Sequence, residues 1–363
     1  MTDSIYKKLR KQMDQYSIGF PETESGIEMK ILERLYTEEE AAMYLDLSLM
    51  LEAPESVAER TGRDPEETQR MLQSMTEKGL LFSLKRNGKT TYAVVPFVIG
   101  SYEFQLGKMD KEFARMTEQY FEEAFLTAFG EGTVLPLRTV PVNKSVDAAT
   151  PVAPYQDARA IIKTKDKIAV GECICRIQQG LVDKGCDKPK DVCMMFGSHA
   201  DYYVENKMAR FIDQKEALAI LDKAEEAGLV NQPANMVNPG GMCNCCGDCC
   251  GVLRALNKFP KPAEMVYNDY QASVDADLCT GCEICLDRCQ VGAIEVNDDL
   301  ARISLDRCIG CGLCVTTCPT EAMSLTLKPE ETRLVPPASG QDFMMKNAEK
   351  RGTSLMPLGM AEK

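Results

Sequence analysis

The chain has 363 residues, a net charge of −13 and 17 cysteines, all between residues 173 and 318. In a short secreted chain that density would signal a disulfide framework. This chain is long and opens "MTDSIYKKLRKQ", basic residues with no apolar segment behind them, so a reducing cytoplasm is the expected setting and the thiols read as metal or cluster ligands. No run approaches the roughly 18 consecutive apolar residues of a membrane helix, and the acidity points away from nucleic acid and towards solubility or basic protein partners.

The length suits about two or three domains. Residues 1–130 read as a helical docking domain. In "RDPEETQRMLQSMTEKGLLFSL", Asp64 is placed to cap a helix, with Pro65 at its first position, Glu67 closing a capping box and Gly79 ending it. Thr68, Met71, Leu72 and Met75 share one face of that helix. The following "LLFSLKRNGKTTYAVV" is two strand-like runs around Asn87-Gly88, the strongest short signal for a type I′ hairpin. With "TEEEAAMYLDL" as an earlier helix, the order resembles a winged helix. A DNA reader would carry basic side chains on the second helix, whereas this one offers Asp64, Glu66, Glu67 and Glu77 against Arg70 and Lys78. Only the hairpin tip, with Lys85, Arg86 and Lys89, is basic, so protein docking is favoured over nucleic acid.

Residues 102–129 read as one helix, and 131–170, rich in Pro, Val and Thr, as an extended linker. In "DQKEALAILDKAEEAGLV", Asp213 and Glu216 form the capping pair, Ala217, Ile220, Leu221 and Ala224 the buried face, and Gly228 the stop. The stretch 171–270 reads as a cysteine-rich, cluster-binding region by composition, 271–328 as a separate cysteine module, and 329–363, with scattered Pro and Gly, as a mobile tail.

Aligning "DADLCTGCEICLDRCQVGAIEV" with "SLDRCIGCGLCVTTCPTEAMSL" matches Cys279 with Cys308, Cys282 with Cys311, Cys285 with Cys314 and Cys289 with Cys318. Two-residue gaps curl the backbone so that three thiolates reach three irons of a cubane, and the fourth cysteine crosses to the other cluster. The region resembles the bacterial two-cluster ferredoxins. That resemblance implies one 4Fe-4S cluster on Cys279, Cys282, Cys285 and Cys318, and another on Cys308, Cys311, Cys314 and Cys289. Gly281 and Gly310 would allow close backbone approach, and Ile284, Ile294, Val296, Ile309, Leu313, Met323 and Leu325 would exclude water. The family's proline after the fourth cysteine is present as Pro319 but replaced by Gln290 in the first repeat. The competing reading is structural zinc in two four-thiolate sites.

Nine cysteines remain. Proximity in sequence groups Cys173, Cys175, Cys186 and Cys193 in one set and Cys243, Cys245, Cys246, Cys249 and Cys250 in another, although a folded site can mix them. C-x-C and C-C pairs cannot both bind adjacent irons in the relaxed C-x-x-C manner, so one member of each close pair is expected to serve another cluster or none. Two further iron-sulfur clusters, one cluster plus redox-active thiols, and zinc all stay open for this half. The run "CICR", a spaced pair of cysteines, "CNCCGDCC" and a terminal ferredoxin module also resembles long ferredoxin-like iron-sulfur proteins of anaerobic bacteria, which implies architecture and no substrate. His199, the sole histidine, is a candidate ligand or proton relay, and Arg176 a candidate donor to cluster sulfide. No dinucleotide or phosphate-loop glycine motif occurs.

The expectation is therefore an α+β protein: a winged-helix-like unit, a cysteine-rich middle and a ferredoxin-like 2x(4Fe-4S) domain. It would relay single low-potential electrons to or from an oxidoreductase complex as a non-catalytic electron carrier or subunit. The rivals are an iron-sulfur or redox-sensing regulator that binds DNA through the N-terminal unit, and an enzyme with an open iron site upstream.

Overall fold

The protein is described by a computed structural model over residues 4–130, 133–142, 145 and 153–361. It divides into two units, one of residues 1–134, 205–208 and 341–363, the other of residues 135–204 and 209–340. Among the described residues no helix is long and apolar enough to cross a membrane.

In the first unit, α1 (Ile5–Asp14), α2 (Ile27–Leu35), α3 (Glu38–Asp46), α4 (Pro54–Thr61) and α5 (Pro65–Lys78) lead into the hairpin of β1 (Leu81–Arg86) and β2 (Lys89–Val94), and α6 (Lys111–Glu123) follows. Asp64 caps α5 by accepting from the Glu67 N–H at 2.9 Å, and Gly79 ends it at φ +80°. Thr68, Leu72 and Met75 are buried beneath it. A complete capping box is formed at α3, between Thr37 and Glu40. Arg86 pairs with Lys89 across Asn87 and Gly88, both at positive φ, as a two-residue type I′ turn requires. The hairpin and helices thus follow their local signals; no family likeness for this unit follows from their order alone.

Two expectations for this unit change. Residues 102–129 are not one helix: Gly107 adopts φ +81°, and α6 begins only after Asp110, which accepts from the Phe113 N–H at 2.8 Å. The tail read as mobile after residue 329 contains a helix, Gly340–Arg351. Polar side chains anchor it beside only two buried apolar ones, Phe343 and Ala348, which is why periodicity is silent there. Buried Asn347 accepts from the Val134 N–H at 3.0 Å and donates to the Val134 carbonyl at 3.1 Å, while Arg351 donates to the Asp14 carbonyl at 2.6 Å.

The second unit contains α7 (Ala158–Lys163), β3 (Ile168–Glu172), α8 (Ile174–Leu181), β4 (Asp191–Phe196), α9 (Ser198–Glu205), β5 (Ala209–Ile212), α10 (Gln214–Glu226), β6 (Val230–Pro233), β7 (Gly241–Cys245) and α11 (Gly251–Lys258). The five strands form one antiparallel sheet in the order β5-β3-β4-β7-β6. Asp213 caps α10, and Ala217, Ile220, Leu221 and Ala224 pack with Ile168, Val170, Val192, Met194 and Met242 of the sheet. The stretch 131–170 is not a free linker in its described parts. Arg138 and Val140 donate backbone N–H groups to Pro233 and Asn231 at 3.1 and 3.0 Å, so residues 137–140 lie along β6, and α7 and β3 follow. Valines that made this stretch look extended are buried: Val134, Val140 and Val142 are 0–1 % exposed. Residues 131, 132, 143, 144 and 146–152 of the expected linker lie outside the described residues.

The unit ends in the duplicated module. Here β8 (Tyr270–Val274) pairs with β11 (Met323–Leu327), β9 (Ile294–Asn297) pairs with β10 (Leu300–Ile303), and α12 (Ile284–Arg288) sits in the first repeat.

Candidate functional site

The duplicated module gathers its thiols in two sets of four. Cys279, Cys282, Cys285 and Cys318 line one small cavity together with Val296, Ala301 and Met323. The charges that Cys285 feels most are those of Cys282, Cys279 and Cys318. Cys314 lies among Cys311, Cys308 and Cys289, with Cys285 of the other set next. The fourth cysteine of each repeat therefore sits with the other repeat's three, and the two sets are neighbours.

The backbone supports these sulfurs. The N–H groups of Ala301, Ala272 and Ala293 point at the sulfurs of Cys279, Cys308 and Cys289 at 3.4, 3.4 and 3.1 Å. Burial raises the pKa of Cys285, and pushes that of Cys311 up to about 12. Burial also acts upward on Cys318, but the Thr320 hydroxyl and nearby backbone N–H groups outweigh it and hold its thiol below the usual range. Gly281 is held at φ +64°, where a Cβ would stand 2.6 Å from the Asp299 Cα, and a Cβ on Gly310 would strike the Tyr270 carbonyl. No side chain fits at either point.

The sets differ in exposure. Cys282 is exposed, and Leu278 and Ile284 beside it are 48 % and 43 % exposed. Ile284 is therefore not the water-excluding residue that its apolar character suggested. Cys308 and Cys314 are buried, with Ile309 and Leu313 at 1 % and 0 %.

Upstream, the structure re-sorts the nine cysteines. Six form a closed ring of thiol contacts: Cys173 with Cys175 and Cys193, Cys193 with Cys243, Cys243 with Cys245, Cys245 with Cys250, and Cys250 with Cys175. The other three, Cys186, Cys246 and Cys249, form a separate compact trio, with Cys186 at 3.7 Å from Cys246 and 3.6 Å from Cys249, sulfur to sulfur. The grouping by sequence proximity is thus corrected. Each vicinal pair, Cys245-Cys246 and Cys249-Cys250, is split between the two groups.

Strand geometry explains the split. Met194 of β4 lies opposite Met242 of β7, so the next positions, Cys193 and Cys243, meet on the opposite face of the sheet. Cys245, two residues after Cys243, shares that face. Cys246 follows at the end of the strand and turns the other way, into the core containing Val192, Met194 and Met242, where Cys249 joins it. Cys173 and Cys250 reach the ring from the residues just before α8 and α11. The alternation in "MCNCC" carried this signal.

Arg176 lies between the groups. It is 1 % exposed and donates to the carbonyls of Pro189 and Asn244 at 2.9 and 3.0 Å, while its Nε finds no partner among the described residues. Burial disfavours its charge, but the thiols of Cys173, Cys246, Cys245 and Cys193 around it prevail and raise its pKa. Hydrogen bonds from Cys175 and Cys193 hold Cys173 well below the ordinary thiol range. Cys246 is brought down to about 5, first by the hydrogen bond from Cys249, with Arg176 assisting against burial. His199 joins neither group: it lies on α9 with its ring against Gly240.

The two cysteine regions meet at Gln290, the residue that stands where the repeat's proline is expected. Its side-chain oxygen accepts from the Gly247 N–H at 2.7 Å, and its carbonyl accepts from the Asn257 amide at 3.1 Å. Proline would supply no such side-chain acceptor, and Gln290 directly follows Cys289. A cleft of about 520 Å³ opens here, lined by Lys188, Gly247, Asp248, Cys289, Gln290 and Arg307 among others. Arg307 closes its other side by donating to the carbonyls of Phe259 and Val291 at 3.1 and 2.7 Å.

Residues 271–347 match the family model of the 4Fe-4S dicluster domain. No curated protein and no solved structure matches the chain. The match takes in both repeats and stops short of all nine upstream cysteines, so the C-terminal part of the chain is a ferredoxin-like iron-sulfur domain.

Proposed function

We propose that the chain is a multi-cluster electron-transfer protein that relays single low-potential electrons to or from a larger oxidoreductase complex. The observation that carries this reading is the sorting of eight thiols into two adjacent sets of four, with backbone N–H groups aimed at three of the sulfurs. Cys279, Cys282, Cys285 and Cys318 would hold one 4Fe-4S cluster, and Cys308, Cys311, Cys314 and Cys289 the other. The ring of Cys173, Cys175, Cys193, Cys243, Cys245 and Cys250 would hold a third, polynuclear cluster. Bound clusters supply one-electron couples whose potentials follow net charge, hydrogen bonds to sulfur and solvent exposure.

The chain's own residues give this relay a direction in space. Exposed Cys282, with Leu278 and Ile284, offers an apolar edge for a redox partner at the first set, whereas the second set is wrapped by Ile309 and Leu313. Gln290 fastens the loop of Cys246 and Cys249 to the residue after Cys289, which keeps the upstream thiols close to the second set. The buried Arg176 offsets the thiolate charge that the ring gathers. The N-terminal helical unit serves as the docking module, since α5 presents Glu66, Glu67 and Glu77 and is poorly suited to a phosphate backbone. A coulometric reduction of the anaerobically reconstituted full chain tests the reading: about three electrons per chain are expected, one per cluster. A chain that takes up none would rule it out.

A further inference from the structure

The 17 thiols occur in three geometries. Among the described residues, Cys186, Cys246 and Cys249 are the one group whose sulfurs all lie within 4.8 Å of one another. The two ferredoxin-type sets do not close to that distance, as expected where each thiolate addresses a different iron of a cubane. In the ring each thiol's hydrogen-bond contacts are with its two neighbours, and no three of its sulfurs close to that distance. The trio is different in kind. Its sulfur separations of 3.6 and 3.7 Å match the spacing of about 3.8 Å that two thiolates take up on a single tetrahedral ion with metal–sulfur bonds of about 2.3 Å.

We infer that Cys186, Cys246 and Cys249 form a mononuclear Zn²⁺ site with three thiolate ligands, whose fourth position is filled from outside the protein by an exchangeable small ligand.

Three thiolates on a dication leave one net negative charge, and the buried guanidinium of Arg176, which feels Cys246 directly, compensates it. No fourth cysteine, histidine or carboxylate joins the trio among the described residues. Three protein ligands with one open position is the arrangement of catalytic rather than structural zinc. Cys246 and Cys249 are 1 % exposed and their sulfurs do not line the cleft, so a ligand would reach the fourth position past Cys186. Cys186 is half-buried on the loop after α8, Lys188 lies two residues beyond it, and Gly247 and Asp248 connect Cys246 to Cys249; Lys188, Gly247 and Asp248 all line the 520 Å³ cleft beside Cys289. The Gly247 N–H is fixed on Gln290, so the loop that carries two of the three ligands is held in place before metal arrives. Zinc has no redox couple, so the site would add a Lewis acid beside the electron relay.

The test uses the full chain, reconstituted anaerobically with iron and sulfide and then loaded with Zn²⁺ alone. Zinc per chain is counted, and its coordination is read from the zinc K-edge. The expected result is one zinc with three sulfurs at about 2.3 Å and one nitrogen or oxygen neighbour, the latter replaced by sulfur when 2-mercaptoethanol is added. Cys186→Ala should lose that zinc while keeping its iron count and the EPR of the reduced clusters. A zinc with four protein sulfurs, no zinc in the loaded wild type, or a fall in iron in Cys186→Ala would overturn the inference. The wild-type spectrum decides the matter even if the variant fails to fold. Because zinc is read apart from iron, loss of the zinc result would leave the electron-transfer reading standing, and the reverse also holds.

Discussion

Between Cys279 and Cys318 the closely spaced cysteines stand three residues apart on loops that bend at Gly281 and Gly310, and thiols of one repeat stay together until the fourth crosses over. Between Cys173 and Cys250 most close pairs stand one or two residues apart on a strand and at two helix starts, and immediate neighbours part company, whereas Cys246 and Cys249, three apart, stay together. The difference lies in the backbone beneath the sulfurs. A curled loop turns successive C-x-x-C thiols towards one point. A strand sends alternate residues to opposite faces, so C-x-C stays together while C-C divides.

The largest test of that comparison is Cys318→Ser. Since Cys318 sits with the first repeat's three thiols, its loss should remove about four irons per chain and expose residues 271–328 to limited proteolysis, because cluster assembly and folding of these loops are linked. An unchanged iron count would mean that the crossover is wrong. Next comes the pair of adjacent variants Cys245→Ser and Cys246→Ser. The first should abolish the visible absorption of the upstream cluster and the second should spare it; equal effects would erase the distinction between ring and trio.

A smaller effect is expected from Arg176→Met. Two buried carbonyls, Pro189 and Asn244, would lose their donor, at a cost of about 1–3 kcal/mol. Anaerobic thermal denaturation should show the loss, and a redox titration should show the upstream cluster shifted to lower potential with the ferredoxin-type clusters unmoved. If both regions shift equally, Arg176 does not belong to the upstream thiols alone. The smallest effect belongs to Gln290→Ala, which removes the acceptor of the Gly247 N–H and should cost about 0.5–1.5 kcal/mol. Hydrogen exchange should quicken at residues 246–249 without loss of iron; no change there would show that the two regions are not fastened at this point.

The duplicated spacing was enough to anticipate both sets of four and the glycines between them, because a local loop geometry repeats wherever its residues repeat. Helix α5 and its hairpin were equally local, set by Asp64, Gly79 and Asn87-Gly88. The ring and the trio were not, since they depend on which strands pair. Cys193 meets Cys243 across β4 and β7, and no spacing within the chain encodes that pairing. The same holds for residues 137–140, whose neighbour is β6, and for the helix at 340–351, which is held by Asn347 and Arg351 together with only two buried apolar residues, Phe343 and Ala348. Gln290 looked like a defect in the repeat because its partner, Gly247, is 43 residues away.

The most direct test of the account is an iron and sulfide count on the anaerobically reconstituted chain, with EPR of the fully reduced protein. More than the roughly eight irons that two 4Fe-4S clusters require are expected, with a third reduced centre that disappears in Cys245→Ser. About eight irons and an EPR spectrum indifferent to Cys245 would contradict it, because the ring of six thiols would then hold no cluster.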